Sequence, residues 1–244
     1  MRASAIEFRL RVVIMAVVIT LGFWSPWIEA WGIGRRISLL EWLALELSRT
    51  GLASFTVATP VVIVIAALIA AVGAGLRVWG TAYLGSGTVN HVQMQAGVVI
   101  ADGPYRYVRN PLYLGSVFMI GAMAFIMPPT GALLVMVLLS VFLLRLVLAE
   151  EAFLTAQVGQ SYREYLKAVP RLIPRLRASL AAARSQPHWG IALLSEINPI
   201  GVFVTLAFLS WRYDHWLMVK AIIVSFGLSI VVKALLPHEP LALN

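Results

Sequence analysis

The chain contains no cysteine, which excludes disulfides, thiolate metal ligands and thiol nucleophiles and leaves its redox compartment unmarked. Charge is scarce as well. Asp, Glu, Lys and Arg make up 12% of the 244 residues, against roughly 25% in an ordinary soluble domain. With 60% hydrophobic residues and a mean hydropathy of +0.87, that scarcity points to an integral membrane protein. Acidic residues are the scarcer sign, 11 against 19 basic ones, for a formal charge of +8. In a membrane protein such an excess gathers on the cytoplasmic side and meets anionic headgroups, so nucleic acid is not an expected partner. Histidine is limited to His91, His188, His215 and His238, in loops or at the ends of apolar runs. Their spacing is not that of ligands, and no metal is expected.

What is present is apolar runs of membrane length. A hydrocarbon core of about 30 Å takes about 20 helical residues. Six runs answer to that, 10–27, 55–79, 112–127, 132–149, 189–209 and 216–236, predicting an all-α protein of about six transmembrane helices. Only Pro128, Pro129, Thr130 and Gly131 separate the third and fourth, which predicts a tight antiparallel hairpin. With the N-terminus inside, the cytoplasmic side receives Arg2, Arg9, Arg11, Arg77, Arg106, Arg109 and the basic segment 145–184. The other side keeps Arg35, Arg36, Arg49 and Arg212, with Lys220 near it. This bias predicts cytoplasmic N- and C-termini. Residues 1–24 have the basic-then-apolar outline of a signal peptide, but Ile28-Glu29-Ala30 is a poor cleavage site, so a retained first span is expected. Ile37, Leu40, Trp42, Leu43 and Leu47 mix with Glu41, Glu46 and Arg49, as in an interfacial or a plain connecting helix. Neither a repeat nor a low-complexity linker divides the chain. A single membrane domain over 1–244 is expected, with 189–236 as an additional C-terminal hairpin.

Two polar regions, 80–111 and 150–188, are both cytoplasmic in this topology. The first opens with GTAYLGSG, residues 80–87, whose three glycines suit either close backbone approach to a ligand or a flexible turn. No Gly-Lys-Ser/Thr follows, so it is not a phosphate loop. Then comes GPYRYVRNPLYLG, residues 103–115. Gly103-Pro104 marks a turn; Pro111 biases Asn110 away from helix and suits the first turn of the next one. Arg106 and Arg109 share a face if the segment is helical. Headgroup anchoring accounts for Arg106, whereas Arg109, crowded by Asn110, Pro111 and Tyr113, is a candidate site residue. Tyr105, Tyr107 and Tyr113 equally suit an interfacial belt.

The second region opens on Glu150-Glu151, directly after a span. Adjacent carboxylates at a membrane boundary repel each other and call for a cationic partner, supplied by Arg145, by Arg109 or by a bound cation. Beyond them Phe153, Leu154, Tyr162, Tyr165, Leu166 and Val169 recur at helical spacing, predicting an amphipathic helix against the bundle. Glu196 lies inside the fifth run, about seven residues or roughly 10 Å of helix from Trp189. Pairing with a basic residue of the neighbouring cytoplasmic segment and bordering an acceptor entrance are equal readings of it, and Asn198-Pro199 marks a kink.

Together GPYRYVRNPLYLG and EEAFLTAQVGQSYREYLKAVPRLIP, separated by a membrane hairpin, resemble the isoprenylcysteine carboxyl methyltransferase family and the related phospholipid N-methyltransferases. The resemblance rests on Arg109, Pro111, Tyr113 and Gly115 and on Glu150 and Glu151. It implies a methyltransferase-like catalytic core over 80–175, with a cytoplasmic-face pocket for S-adenosylmethionine formed by the helical hairpin and the following helix. A lipid-borne acceptor would arrive laterally between helices, making membrane lipids and a hydrophobic acceptor the partners. Cofactor binding would fall to Gly103, Tyr105, Asn110, Pro111, Tyr113, Glu150 and Glu151, and catalytic roles to Arg109 and Glu150. Two departures separate the chain from the prenylcysteine enzymes. Asn110 stands where they read Arg-His-Pro, as in the phospholipid methyltransferases and many bacterial relatives, and Gly97 stands where they place a histidine. His91 lies nearby but off register.

Methyl transfer from a sulfonium is an in-line displacement that asks for alignment and exclusion of water. A carboxylate acceptor needs no base and pairs with Arg109; an amine must first lose a proton, to Glu150, Glu151 or connected water. The rival enzyme reading is an NADPH-dependent membrane reductase of the sterol-reductase type, which shares a similar Arg-His-Pro-x-Tyr-x-Gly element. Glu150-Glu151-Ala152-Phe153 suits a cationic cofactor better than a phosphorylated one. A third reading, carried by Glu196, is a non-catalytic membrane protein that kept the fold.

Overall fold

A computed structural model describes residues 2–25, 37–84, 101–182 and 185–236. In hydrocarbon the backbone must satisfy itself, so the apolar runs become helices. They are α1 (Ala5–Arg9), α2 (Arg11–Trp24), α3 (Leu39–Arg49), α4 (Phe55–Leu84), α5 (Pro111–Ala124), α6 (Pro129–Val158), α7 (Gln160–Ala168), α8 (Trp189–Ser195), α9 (Ile197–Val204) and α10 (His215–Leu235). The described residues form no strand. His91, Gly97, His238, Arg35, Arg36, Gly85, Gly87 and the proposed cleavage-site residues 28–30 lie outside the described residues.

All six apolar runs are helical. α4, α6 and α10 are long and apolar enough to cross a membrane, and so is α8 together with the helical stretch Ile197–Arg212 if the 69° bend between them is taken as one broken span. α2 and α5 have 14 residues each, a rise of about 21 Å at 1.5 Å per residue. α4 runs on to Leu84 and α6 to Val158, past the limits set by bilayer thickness. The chain just beyond α6's apolar part, with Ala152, Leu154 and Gln157, is made of good helix formers.

Two expectations need correction. Residues 153–169 are not one amphipathic helix: Gly159, at φ 73° and ψ −130°, ends α6 and starts α7 in a new direction, a conformation only glycine adopts cheaply. Phe153 is left exposed, while Leu154, Tyr162, Tyr165 and Val169 pack together. The bend expected at Asn198-Pro199 falls at Glu196. Pro199 has no N–H to offer the Ser195 carbonyl one turn earlier, so α8 ends at Ser195.

α4 and α5 pack closely because Gly73 and Gly115 face each other. A Cβ on Gly115 would stand 2.9 Å from the Gly73 carbonyl oxygen, and one on Gly73 would stand 3.0 Å from that of Gly115. Each end of the bundle is tied by polar contacts. At one end the Ser25 and Thr130 hydroxyls meet at 2.7 Å, and the Leu39 N–H donates to Met127 O at 2.7 Å. At the other, Glu7 and Arg145 pair at 2.8 Å, and the His188 N–H reaches Ala82 O at 2.7 Å. The second end carries the motif residues.

Candidate functional site

The turn before α5 is built by its prolines and glycine. Gly103, at φ 53°, opens a 3₁₀ turn with Pro104, Tyr105 and Arg106; a Cβ there would collide with the Tyr83 ring. Pro111 then starts α5. The Arg109 N–H donates to Pro170 O at 2.8 Å, locking the turn to the segment after α7.

Arg106 and Arg109 do not act together. Arg106 Nε donates to Leu180 O at 2.8 Å. Arg109 reaches the Leu166 carbonyl through one terminal nitrogen and places its Nε 3.2 Å from Glu151 Oε1. That contact is one of charge, without the alignment of a hydrogen bond, so Arg109 Nε stays a buried donor lacking a hydrogen-bond partner. On Glu151 Oε2, Arg171 places Nε at 3.0 Å and its terminal nitrogen at 2.8 Å. Asn110 Nδ2 donates to Glu151 Oε1 at 3.1 Å and to Arg171 O at 3.2 Å. Glu151 is thereby saturated, at 5% exposure. Arg145, the other expected partner, is taken by Glu7.

Glu150, one residue earlier on α6, points elsewhere. Its Oε2 accepts from the Tyr113 hydroxyl at 2.7 Å, and it lines a cavity of about 690 Å³. Tyr105, Arg109, Asn110, Pro111 and Tyr113 line the same cavity, whereas Gly103 and Glu151 support it from behind. Tyr105 is 8% exposed and its hydroxyl has no hydrogen-bond partner among the described residues. Burial, reinforced by nearby Tyr165, Glu150 and Glu196, pushes that phenol well above its ordinary range, so it remains a proton donor. Burial likewise raises Tyr162 and Tyr165, and the Tyr165 hydroxyl donates to Tyr105 O at 2.9 Å.

From this polar end the cavity runs along α5 into the apolar bundle. α2 and α6 contribute Met15, Ile19 and Leu143 to one wall; α9 and α10 contribute Val202, Ile222 and Phe226 to the other. Arg77, which the sequence marked only as a cytoplasmic-side charge, also faces in. It meets Glu196 in a two-pronged pair, Nε to Oε2 at 2.6 Å and the second nitrogen to Oε1 at 3.1 Å. Its remaining nitrogen donates to Ser116 Oγ at 2.7 Å, and Thr81 donates to Glu196 Oε1 at 2.8 Å. Glu196 is fully buried. It is paired, but with Arg77 from within α4 and not with a residue of the neighbouring cytoplasmic segment. Arg77, Arg171, Arg11 and Lys233 were missed as site residues; for Arg77 and Lys233 the available signal was an ionisable residue within an apolar helix.

Native proteins seldom leave buried donors unpaired, yet Tyr105 Oη and Arg109 Nε are both orphaned on residues that line one cavity. Beside them stands a carboxylate, Glu150, which accepts a hydrogen bond from the Tyr113 hydroxyl and feels the charge of Arg11. A polar ligand bearing both an acceptor and a positive centre fits that set, with an apolar group extending into the cleft. Among the described residues no group of three or more acidic or histidine side chains could hold a metal.

The family model described as phospholipid methyltransferase matches residues 61–161, from α4 through the start of α7. The chain is also similar to the Protein-S-isoprenylcysteine O-methyltransferase of Schizosaccharomyces pombe, 35% identical over 78 residues, which cover 32% of this chain and 33% of that relative. The match thus spans about a third of the relative's length. No solved structure matches the chain.

Proposed function

We propose that the chain is a membrane methyltransferase, taking its methyl group from S-adenosylmethionine and passing it to a hydrophobic acceptor held in the cleft. The observation that carries this is the conjunction of Glu150 with two buried donors, Tyr105 Oη and Arg109 Nε, that have no hydrogen-bond partner among the described residues, at the polar end of an otherwise apolar cavity. The phospholipid methyltransferase family model over residues 61–161 and the similarity to an isoprenylcysteine O-methyltransferase support the same reading.

When bound, the donor supplies an electrophilic methyl on a cationic sulfur. Glu150 is the group on this chain suited to that charge, held toward the cavity by the Tyr113 hydroxyl. Tyr105, protonated throughout the working range, donates a hydrogen bond to an acceptor atom of the ligand. Arg109 offers its Nε, while Glu151, Arg171 and Asn110 hold its guanidinium in place. The apolar walls exclude water, so reactants are aligned and no hydroxyl competes. The reaction breaks the sulfur–methyl bond as the acceptor's lone pair forms the new one, leaving a neutral thioether. An anionic acceptor releases no proton; an amine would release one, for which Glu150 is within the cavity. A phosphorylated dinucleotide would have to set its charge against Glu150, which disfavours the reductase reading.

Calorimetric titration of the protein in detergent with S-adenosylmethionine, which carries the sulfonium charge, checks the donor site. Saturable binding that Glu150→Gln weakens tenfold or more is the expected result, whereas stabilisation by NADPH alone would replace this reading. Methyl label appearing in a lipid extract of the source membranes tests the acceptor's nature, and label confined to soluble products would sink it.

A further inference from the structure

We infer that Arg77 and Lys233 form an oxyanion-binding subsite for the head of an anionic amphiphilic acceptor, with the face of α10 as the track for its tail. The inference rests on the methyltransferase reading for the word acceptor; the subsite itself rests on charge and geometry.

Four basic side chains line the cavity: Arg11, Arg77, Arg109 and Lys233. Arg109 is answered by Glu151. Arg77 is answered by Glu196, and its contacts to Ser116 and the Leu112 carbonyl fix the plane of its guanidinium. Lys233 makes no ion pair with any described residue; the charges it feels are those of Glu196 and Arg77. Since Arg77 and Glu196 cancel, Lys233 leaves this side of the cavity one positive charge in excess. Glu150 faces the same cavity from α6, where the charge of Arg11, which also lines it, acts on the carboxylate. The positive charge left without a counter-charge on the α10 side is thus that of Lys233, and it marks the place for an anion.

α10 carries the second half of the argument. Ile222, Phe226, Ser229 and Lys233 recur at spacings of four, three and four, which puts them on one helical face, and all four line the cavity. Along roughly 16 Å of helix that face passes from two apolar side chains to a buried hydroxyl and then an ammonium. This is the outline of an amphiphile with an oxyanion head and a hydrocarbon tail. A lysine in an apolar helix is costly unless it serves such a role or reaches water. Ser229 and Lys233 come after the matched stretch 61–161 while Arg77 lies within it, so the subsite joins the C-terminal hairpin to α4.

The test uses the full chain in nanodiscs of phosphatidylcholine, whose headgroup carries no net charge. Thermal unfolding is followed with dodecanoate, dodecyl phosphate or dodecanol, with and without saturating S-adenosylhomocysteine. One or both anions should raise the midpoint where dodecanol does not. A preference for dodecanoate would mark a carboxylate head and one for dodecyl phosphate a phosphate head; either supports the subsite. Lys233→Met should weaken the anion's apparent affinity at least tenfold and Lys233→Arg should restore it, with S-adenosylhomocysteine affinity changed by less than twofold. Equal stabilisation by dodecanol, or an anion response that survives Lys233→Met, overturns the subsite. A parallel fall in S-adenosylhomocysteine affinity also overturns it, because Lys233 would then hold the donor's carboxylate. If the wild type fails to bind S-adenosylhomocysteine, the methyltransferase reading falls, and the anion arms run without it still decide the subsite.

Discussion

Glu150 and Glu151 are neighbours in sequence with opposite tasks. Glu151 holds Arg109 and Arg171 in a buried network, and removing one partner of such a network typically costs about 3–5 kcal/mol. Glu151→Gln is therefore expected to lower the thermal midpoint sharply, and donor binding only as a consequence. Glu150→Gln, which keeps a hydrogen-bond acceptor for Tyr113, should leave the midpoint nearly unchanged and remove donor binding. Thermal unfolding and calorimetry on the same two preparations separate the roles. Tyr105→Phe makes a sharper case: the hydroxyl has no partner to lose, and a buried unsatisfied group costs about 1–3 kcal/mol. The variant is expected to be as stable as the wild type or more so, and to bind S-adenosylhomocysteine more weakly. The sequence pointed to the acidic pair and to Arg109 but not to this division. Adjacent helical residues point about 100° apart, and which direction is the cavity depends on α5, α7 and Arg171, which the local pattern does not contain.

At the level of elements, α1 shows how a short helix is held. Its capping box joins Ser4 and Glu7, and Glu7 then reaches Arg145 on α6. The Ser4 backbone N–H and the Arg145 guanidinium hold the Glu7 carboxyl below its ordinary range. A lowered folded value means that this docking is complete above the unfolded carboxylate range and is lost as pH falls through the lowered one. The protection factors of the α1 amides, relative to intrinsic exchange at each pH, should fall on going from pH 7 to well below about 4, while those of α4 stay high. Arg145→Met should produce the acid behaviour at neutral pH. The helices themselves were legible, because apolar runs in a membrane protein have few alternatives. Their ends were less so. Bilayer thickness limits the apolar stretch but not the helix, which is why α4 and α6 outrun the expected spans. The break at Gly159 hides within a periodic pattern that glycine alone contradicts, and the bend at Glu196 is displaced from Pro199 by the reach of one helical turn.

On the scale of the whole molecule, one end of the bundle collects α1, the ends of α4, α6 and α10 and the starts of α5 and α8, joined by Glu7–Arg145, Tyr113–Glu150 and Arg77–Glu196. Because the chain lacks cysteine, single cysteines report its orientation without background. Ser4→Cys and Gln186→Cys should react with an impermeant maleimide from the same face of the membrane, and Thr50→Cys from the opposite one. Labelling of Ser4→Cys and Gln186→Cys from different faces would contradict this arrangement. The basic asymmetry of the sequence predicts that the shared face is the cytoplasmic one.

The pair between Arg77 and Glu196 also has a history in time. The two residues are 119 positions apart, so a ribosome adding roughly 5–20 residues per second delivers α4 about 6–24 s before its counter-charge exists. The Leu112 carbonyl arrives after 35 positions and Ser116 after 39, about 2–8 s at the same rate, and these are the first neighbours able to accept a hydrogen bond from the guanidinium. Until α8 and α9 enter, the nascent α4 is a membrane helix with an uncompensated cation, exposed to quality control. Glu196→Ala should accordingly be felt first in biogenesis, as a smaller yield of membrane-integrated protein in a pulse-chase experiment.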